Sequence, residues 1–337
     1  MIMVDSFWTA RRHKQNRTLP PLVSGQEGIL IAVVAGLWIL LAMSNPGFLS
    51  AYSIQSMLWR LAPVALIAIG MTLIIITGGI DISVAAILMV CAATIAKLTA
   101  ELGWTFWQAV PVSIVLGTVM GALNGFMISY GRVPAIVITF GTANIFRFVG
   151  YRIFDANVIT GLPRERSVLG PGPEGQILGV PFAFFITLMA VGFAWYYLRH
   201  FPGGRHFYAV GDDAHAAELA GVNVRQRTFM AYVVTGFLVG IAAAVTIGGG
   251  TANLDQSVGR GQELVVIAAT VIGGTSILGG SGSVLGSVLG ALLVQTVAAG
   301  VAQLRLPSQL SDLFVGAFII IAVGADVIRR GRRKEKL

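Results

Sequence analysis

The chain has 337 residues, of which 55% are hydrophobic and only 11% charged, and its mean hydropathy is +0.81. A water-soluble domain has roughly a quarter of its residues charged, so this composition excludes one and predicts a protein embedded in a lipid bilayer. The net charge of +8 does not indicate nucleic-acid binding, because the basic residues stand in short flanks beside apolar segments and set orientation there. Cys91, the only cysteine, is interpreted as a small buried hydrophobe that offers neither an intrachain disulfide nor a metal cluster.

Residues 1–27 are polar and carry four of the basic residues, and they are predicted to form a cytoplasmic tail. The apolar run from Gly28 to Ser44 follows. A cleaved signal peptide is the alternative interpretation, because Ala42-Met43-Ser44 could imitate a cleavage site. The polar lead is long for a signal peptide and further apolar segments follow, so the run is interpreted as a retained first transmembrane helix.

Nine further apolar segments follow the first, each long enough, or nearly so, to cross a hydrocarbon core of about 30 Å at about 1.5 Å per residue. They lie near residues 61–76, 84–100, 107–130, 134–150, 179–198, 228–250, 263–278, 282–303 and 311–328. The sequence therefore predicts an all-α polytopic membrane protein with about ten spans. The predicted first half is 28–198 (spans one to six) and the second half is 228–328 (spans seven to ten), with a loop at 199–227 between them and a basic tail at 329–337.

An even number of spans places both termini on one side of the membrane. With the N-terminus inside, 15 of the 23 Lys and Arg residues fall in inner flanks, which predicts that both ends are cytoplasmic. The outer side then receives the loops 45–58, 151–178 and 251–262. The second of these is rich in Pro and Gly and long enough to meet a partner or cap a vestibule.

Glycines repeat every four residues in two places, at Gly117, Gly121 and Gly125 and at Gly282, Gly286 and Gly290. This spacing lines small residues along one helix face and lets another backbone approach closely. A glycine-rich interruption precedes each repeat, at residues 77–84 and 272–283. Glycine-broken segments at corresponding places in two halves are typical of a transport pathway, so the pattern predicts two related halves around one.

Six polar residues are candidates to line that pathway: Asp81, Ser83, Asn124, Thr139, Thr142 and Asn144. Asp81 lies in the first interruption, where a carboxylate is costly and therefore expected to line or gate the pathway. Its alternative role is to cap the next helix by accepting backbone N–H groups. The amide and hydroxyl side chains suit a sugar-like solute, although hydrogen bonds between helices would explain them equally.

Three charged residues next to or within the apolar runs are given structural roles. Arg147 is expected to extend its guanidinium to the outer interface, with ligand binding as the alternative, and Glu263 and Asp312 are interpreted as acids at helix starts. The four histidines lie in the polar tail or the central loop, without metal-protease spacing, and no phosphate-binding GxxxxGK[ST] motif is present. The sequence predicts no catalytic site, no bound metal or cofactor, and no ATP hydrolysis by that route.

The central polar segment, residues 199–227, separates two long apolar regions. Asp212 or Asp213 is predicted to cap a helix of about two turns that Gly221 ends. A short helix held between two spans is a feature that a soluble partner protein can bind.

Four stretches together resemble the membrane permeases of ABC-type sugar importers, the ribose-permease-like group. They are AIGMTLIIITGGIDISV (68–84), VPAIVIT (133–139), GRHFYAVG with AAELAG (204–211 and 216–221) and VIGGTSILGGSG (271–282). The resemblance covers nearly the whole chain. It implies a subunit of the bacterial inner membrane that pairs with a second permease, binds a cytoplasmic ATPase dimer holding ATP–Mg, and receives solute from a periplasmic binding protein.

In this family the coupling loop carries a Glu-Ala-Ala-x-x-x-Gly pattern, which implies contacts with the ATPase through Asp213, His215, Ala216, Ala217, Glu218 and Gly221. Ala216, Ala217 and Gly221 match the pattern, whereas His215 stands where the glutamate would be. Asp213 and Glu218 are the candidates for the acidic partner. Residues 155–175 are less similar, so the solute does not follow from ribose; residues 159–163 and 208–212 favour rhamnose or autoinducer-2.

The mechanism implied is alternating access driven by the partner ATPase. An ion-coupled secondary transporter is the alternative, because such proteins also use repeats and broken helices. It requires acids at the membrane midplane, for which Asp81 is the only good candidate. A membrane enzyme or a passive channel is a further class, and clustered acids or histidines among the spans, which an enzyme would need, are absent from the sequence.

Overall fold

The computed structural model describes residues 25–155, 157–249 and 253–334, and the side chains as far as residue 324. Most of the predicted N-terminal tail and residues 335–337 of the predicted basic tail lie outside the described residues. The described part confirms the prediction of an all-α polytopic fold. Its helices are α1 Gly25–Ser44, α2 Ala51–Ile76, α3 Val84–Ala100, α4 Phe106–Ser129, α5 Ala135–Phe154, α6 Phe182–His200, α7 Pro202–Asp212, α8 Ala214–Leu219, α9 Val224–Gly248, α10 Gln262–Ile272, α11 Val284–Gln303 and α12 Gln309–Lys334.

Short elements fill the loops. Three 3-10 helices span Pro46–Leu49, Arg164–Leu169 and Pro173–Gly175, and a hairpin pairs β1 (Gln176–Ile177) with β2 (Val180–Pro181) in antiparallel fashion. The hairpin was not expected from the sequence. It precedes α6 directly and shortens the predicted sixth span at its start.

Each of the ten predicted apolar segments contains one helix, but the helices differ in length. Six are long and apolar enough to cross a membrane by length and composition: α1, α2, α4, α6, α9 and α11. The apolar helices α3 and α10 and the apolar part of α12 are shorter. With 11 residues, α10 rises only about 16 Å, roughly half of a hydrocarbon core, because the glycine-rich segment 273–283 ends it.

Helix α2 is the centre of the molecule. Every residue from Leu61 to Ile76 is buried, and α2 packs against α6, α9, α10 and α11. A helix that is apolar on all sides is expected to lie inside a larger assembly of helices. The segments predicted as a first and a second half therefore interleave, with α2 surrounded mainly by helices of the second.

The first glycine repeat brings α4 against α9. A Cβ atom built on Gly121 would lie 2.3 Å from the Tyr232 carbonyl oxygen, and one on Gly117 would lie 2.5 Å from that of Gly236. Both distances are too short for a Cβ atom, so only glycine fits at these two positions. The prediction of close backbone packing at this repeat is confirmed.

The second repeat packs α11 against α10 in the same way. A Cβ atom on Gly286 would lie 2.1 Å from the Gly273 carbonyl oxygen, and one on Gly290 would lie 2.0 Å from that of Ala269. The two repeats are not placed alike, because the interruption at 273–283 leads directly into α11 whereas α3 separates the first interruption from α4.

The long loop between α5 and α6 holds two helix ends together. Glu165 accepts a hydrogen bond from the backbone N–H of Phe106, at the start of α4, at 3.3 Å. The neighbouring Arg166 donates from Nη1 to the carbonyl oxygen of Ile247, at the end of α9, at 2.9 Å. An acid at a helix N-terminus and a base at a C-terminus each complement the helix dipole. The same loop pairs with the segment after α9 through a bridge between Ile159 and Leu254.

Candidate functional site

A buried polar cluster occupies the interruption between α2 and α3. Asp81 is 1% exposed, and its Oδ1 accepts hydrogen bonds from the backbone N–H and the hydroxyl of Ser83 at 2.8 and 2.6 Å. Asn124 of α4 donates from Nδ2 to the Ser83 hydroxyl at 2.7 Å. Three of the six candidate pathway residues therefore form one hydrogen-bonded chain inside the bundle.

Three buried polar atoms of this cluster have no hydrogen-bond partner among the described residues: Asp81 Oδ2, Asn124 Oδ1 and the Tyr232 hydroxyl. Tyr232 belongs to α9 and is fully buried, and its hydroxyl lies against the interruption, 2.6 Å from a Cβ atom built on Gly79. Buried polar groups are normally hydrogen-bonded, so three unpartnered atoms in one place indicate a functional role. The sequence did not single out Tyr232; the one signal was a phenol hydroxyl inside an apolar segment.

The other three candidates lie in three different settings: one contacts the interruption, one is buried within its own helix and one is on the surface. Thr139 donates to the carbonyl oxygen of Ile80 at 3.2 Å and so ties α5 to the interruption. Thr142 donates within its own helix, to the Ile138 carbonyl oxygen at 3.0 Å. Asn144 is exposed and donates to the Phe140 carbonyl oxygen at 2.8 Å, so it does not join the cluster.

The predicted capping role of Asp81 is only approximated. Its Oδ1 accepts the N–H of Ser83 two residues later, which forms an Asx turn leading into α3, whereas α3 itself has no side-chain cap hydrogen bond. Its Oδ2 takes no part in that bond and has no partner among the described residues. That Asp81 also lines or gates the pathway therefore remains a prediction.

The two glycine-rich interruptions and the central loop meet at one place, which we call the glycine junction: Ile76, Gly211, Gly279 and Gly280. The N–H of Gly280 donates to the Ile76 carbonyl oxygen at 2.9 Å. A Cβ atom on Gly211, near the end of α7, would lie 1.7 Å from that same oxygen and 2.6 Å from the nitrogen of Gly280. One on Gly279 would lie 2.8 Å from the Gly211 carbonyl oxygen. Three backbones thus touch without side chains between them.

Helix α7 holds the junction in place, although the sequence predicts a loop for these residues. It starts with Pro202, whose fixed φ suits a first helical position, and it buries Gly204, Phe207 and Val210 at three-residue spacing. The Tyr208 hydroxyl donates to the Gly282 carbonyl oxygen at 3.2 Å. Burial raises the pKa of Tyr208 to about 12, so the hydroxyl keeps the proton that it donates.

Helix α8 is the short capped helix predicted from the sequence. The Asp213 side chain accepts from the backbone N–H of Ala216 at 2.9 Å, which confirms Asp213 rather than Asp212 as the cap. The helix ends before Gly221, whose φ is +82°. Five residues of the coupling prediction are exposed, as is Leu219 at 78%, whereas Ala217 is buried; the five are Asp213, His215, Ala216, Glu218 and Gly221. Within the described residues, no group of three His, Cys, Asp or Glu side chains could hold a metal ion.

Comparison with known proteins identifies the family. A family described as branched-chain amino acid transport system / permease component matches residues 53–323. The ribose import permease protein RbsC of Haemophilus influenzae is 31% identical over 299 residues, covering 88% of this chain and 90% of that protein. RbsC of Bacillus subtilis is 34% identical, covering 86% and 88%.

An autoinducer 2 import system permease protein, LsrC of Escherichia coli O157:H7, is 33% identical over 299 residues, covering 86% of this chain and 85% of that protein. No solved structure matches. These similarities extend over the helices, the buried cluster and the coupling segment, and they confirm the resemblance drawn from the sequence motifs. The chain belongs to the family of branched-chain amino acid transport system permease components, and it is a membrane permease subunit of an ABC-type importer, not an enzyme.

Proposed function

We propose that the chain imports a neutral sugar or sugar-like solute across the bacterial inner membrane, driven by ATP–Mg bound to a partner ATPase. The relatives that match it along most of their length are named for ribose and for autoinducer 2. Ribose, rhamnose and autoinducer-2 are the solutes to test first. The family description names branched-chain amino acids, so leucine is the natural comparison solute.

We further propose ten spans in two related halves, with both termini in the cytoplasm. The contacts between loops support this arrangement. The central segment touches both glycine-rich interruptions at the glycine junction, as expected if the proposed topology places all three on the cytoplasmic side. The two loops assigned to the outer side, 151–178 and 251–262, touch each other through Ile159 and Leu254.

The partners follow from the same arrangement. The exposed face of α8 suits a cytoplasmic ATPase, because it combines Glu218 with the exposed Leu219 on a helix fixed at both ends. The outer loops suit a periplasmic binding protein that delivers solute. A second permease subunit completes the importer.

The glycine junction is the observation that carries the mechanism. A movement of α8 reaches α7 directly, because Asp213 both ends α7 and caps α8. Gly211 then transmits that movement by backbone contact to the ends of α2 and of the segment 273–283. Packed backbones cannot be compressed, so the two interruptions shift together when the ATPase moves the loop.

Reconstitution with the partner ATPase and binding protein tests the proposal. Solute accumulation against a gradient is expected with ATP and the ATPase, and none without either; uphill uptake by the permease alone would refute it. The same assay tests the junction through Gly211→Ala, whose methyl group cannot fit beside Ile76. We expect ATP hydrolysis to continue while uptake falls by about tenfold or more, which corresponds to about 1.4 kcal/mol.

Gly192→Ala is the matched control, since Gly192 lies on α6 and a Cβ atom there has no heavy atom within 4 Å. It is expected to import normally. Normal uptake by Gly211→Ala would show that the junction does not transmit the movement.

A further inference from the structure

A polar cavity of about 790 Å³ lies beside α3, apart from the buried cluster around Asp81. Its walls come from α3, α5, residues 157–158 and the segment 255–263. The side chains that matter for its chemistry are Arg147, Tyr151, Asp255, Ser257, Arg260 and Glu263. From the sequence, Arg147 is expected at the outer interface or on a ligand and Glu263 at a helix start, and the fold brings both to this one cavity.

Local geometry explains how the chain builds this cavity. Arg147 and Tyr151 are one helical turn apart on α5 and so project from the same face. Between them, Gly150 lets α5 approach Met89, since a Cβ atom there would lie 3.0 Å from the Met89 Sδ. On the opposite side Gly259, with a φ of +78°, turns the chain against α3, where a Cβ atom would lie 2.9 Å from the Ala85 carbonyl oxygen.

The charged side chains of the cavity are balanced but not paired with one another. Two are basic (Arg147 and Arg260) and two acidic (Asp255 and Glu263), and within the described chain no ion pair joins any of them. The Glu263 Oε2 atom is buried and has no hydrogen-bond partner there. Hydrogen bonds from the Ser257 side chain and backbone lower the pKa of Asp255 and keep it ionised. Both donors and acceptors are therefore available to a ligand.

The balance of charge excludes a solute with net charge, which would leave one pair of side chains uncompensated. A neutral polyol can donate to the carboxylates and accept from the guanidinium groups, and a zwitterion would also satisfy both signs. Similarity to permeases named for ribose and autoinducer 2 favours the polyol. Tyr151 adds an aromatic ring with a polar end. The groove between α6 and α9 is lined mainly by apolar side chains such as Phe193 and Phe237, and Arg227 is the one charged residue in its lining. It therefore lacks the acidic and basic side chains that a polyol would need.

The position of the cavity connects it with the pathway. Its wall includes Ala85, in the first turn of α3 and four residues after Asp81. Its other side is formed by the segment 255–263, part of the loop that is proposed to face outward. A solute held here would lie between the outer loops and the buried cluster.

We propose that this cavity is a binding site of the permease itself for a neutral polyhydroxylated solute, with Arg147 and Glu263 as its specificity-determining residues. The inference rests on the proposed function for the nature of the solute. It assigns to the permease a selectivity step of its own, beyond delivery by a binding protein.

Cysteine protection in the purified full-length permease tests the site without any transport step. Because the native Cys91 is fully buried, a Val158→Cys variant provides a reactive thiol in the cavity wall at an exposed apolar position. We expect D-ribose or L-rhamnose to slow the reaction of that thiol with a maleimide, and L-leucine to leave it unchanged. Leu178→Cys, at a residue that is 98% exposed in the β1–β2 hairpin, should react at the same rate with and without sugar.

A second pair of variants identifies the residues responsible. On the Val158→Cys background, Arg147→Met should weaken the apparent sugar affinity by about tenfold or more, as expected for a lost hydrogen bond to a charged group. Arg152→Met, an exposed arginine of the same helix that does not line the cavity, should leave it unchanged. Full protection in the Arg147→Met variant would remove Arg147 from the site.

The outcomes separate this inference from the proposed function. Equal labelling rates with every sugar, or protection by leucine instead of sugar, would overturn the cavity as a polyol site. If the complete importer nevertheless accumulates sugar with ATP, the proposed function stands and only the cavity site falls. If sugar protects the thiol but uptake does not require ATP, the cavity is retained as a binding site and the proposed coupling of uptake to ATP hydrolysis is wrong.

Discussion

At the scale of single residues, the cluster around Asp81 is the most unusual feature of the molecule. An unpartnered buried carboxylate oxygen costs free energy, because it has lost water without gaining a hydrogen bond. Asn124 Oδ1 and the Tyr232 hydroxyl share that condition in the same place. A cost of this kind is expected where the groups acquire partners at another stage of the transport cycle, either solute or rearranged helices.

Asp81→Asn separates the two roles of Asp81. The amide oxygen can still accept from Ser83, and the buried charge is removed, so the melting temperature of the purified protein should not fall. ATP-driven uptake is expected to fall by about tenfold or more if the charge lines or gates the pathway, as for a lost charged hydrogen bond. Unchanged uptake would show that Asp81 neither lines nor gates the pathway and only orders the segment before α3 through Ser83.

Two asparagines form a matched pair for stability. Asn124→Ala removes the donor to the Ser83 hydroxyl and leaves a gap in the core, which is expected to lower the free energy of unfolding by about 1–3 kcal/mol. Asn144→Ala removes an exposed side chain bonded only to its own helix, with an expected effect within about 0.5 kcal/mol. Equal effects in detergent unfolding experiments would contradict the burial described for Asn124.

At the scale of elements, α7 and α8 show how local and distant forces differ. Helix α8 is specified locally, by the side-chain cap from Asp213 and by the positive φ of Gly221. Helix α7 is not, since two glycines follow Pro202 and weaken its helical signal. Its stability comes from packing, because Gly204 would place a Cβ atom only 2.3 Å from the Tyr197 carbonyl oxygen of α6. This is why the sequence predicts α8 but does not predict α7.

The end of α8 provides a prediction about coupling. Gly221→Val forces a β-branched residue into the left-handed region, at a cost of about 1–2 kcal/mol or more, and should loosen the end of α8. We expect uptake to fall while the ATPase still hydrolyses ATP. Gly221→Asn is the control, because asparagine tolerates this conformation and a Cβ atom there has no heavy atom within 4 Å. Full uptake with a normally bound ATPase in Gly221→Val would argue against a coupling role for this end of α8.

At the scale of the whole molecule, the interleaving of the predicted halves around α2 matters most. Helix α2 contacts α9, α10 and α11, and the glycine repeat of α4 packs on α9, so no boundary between two separate bodies follows residues 199–227. A movement at the glycine junction is therefore passed to the central helix. The coupling segment lies between the two halves along the chain and touches the interruptions of both in space.

The proposed orientation can be measured with single cysteines in intact cells. Leu178→Cys is expected to react with a membrane-impermeant maleimide added from the periplasmic side, and Leu219→Cys only after the cytoplasmic face is opened. Cys91 should contribute little background, because it is buried. Labelling of Leu219→Cys from outside would reverse the orientation. Labelling of both residues from one side would contradict the single span, α6, that separates them.

The sequence by itself determined the membrane class, the approximate bounds of the apolar helices, the capped helix α8 and the family. These follow from properties that are local along the chain: average hydropathy over a span, the spacing of glycines, and the side chain that precedes a helix. They need no knowledge of which distant segments meet.

Only the tertiary structure decided which of the candidate residues lie together. It joined Asp81, Ser83 and Asn124, added Tyr232, and left Asn144 on the surface, although all are polar residues within or beside apolar segments. It also brought Arg147 and Glu263, more than a hundred residues apart, to one cavity. The physical reason is that the rotation of each helix about its axis is set by packing against its neighbours, and hydropathy along the chain does not encode that rotation when a helix is apolar on all sides.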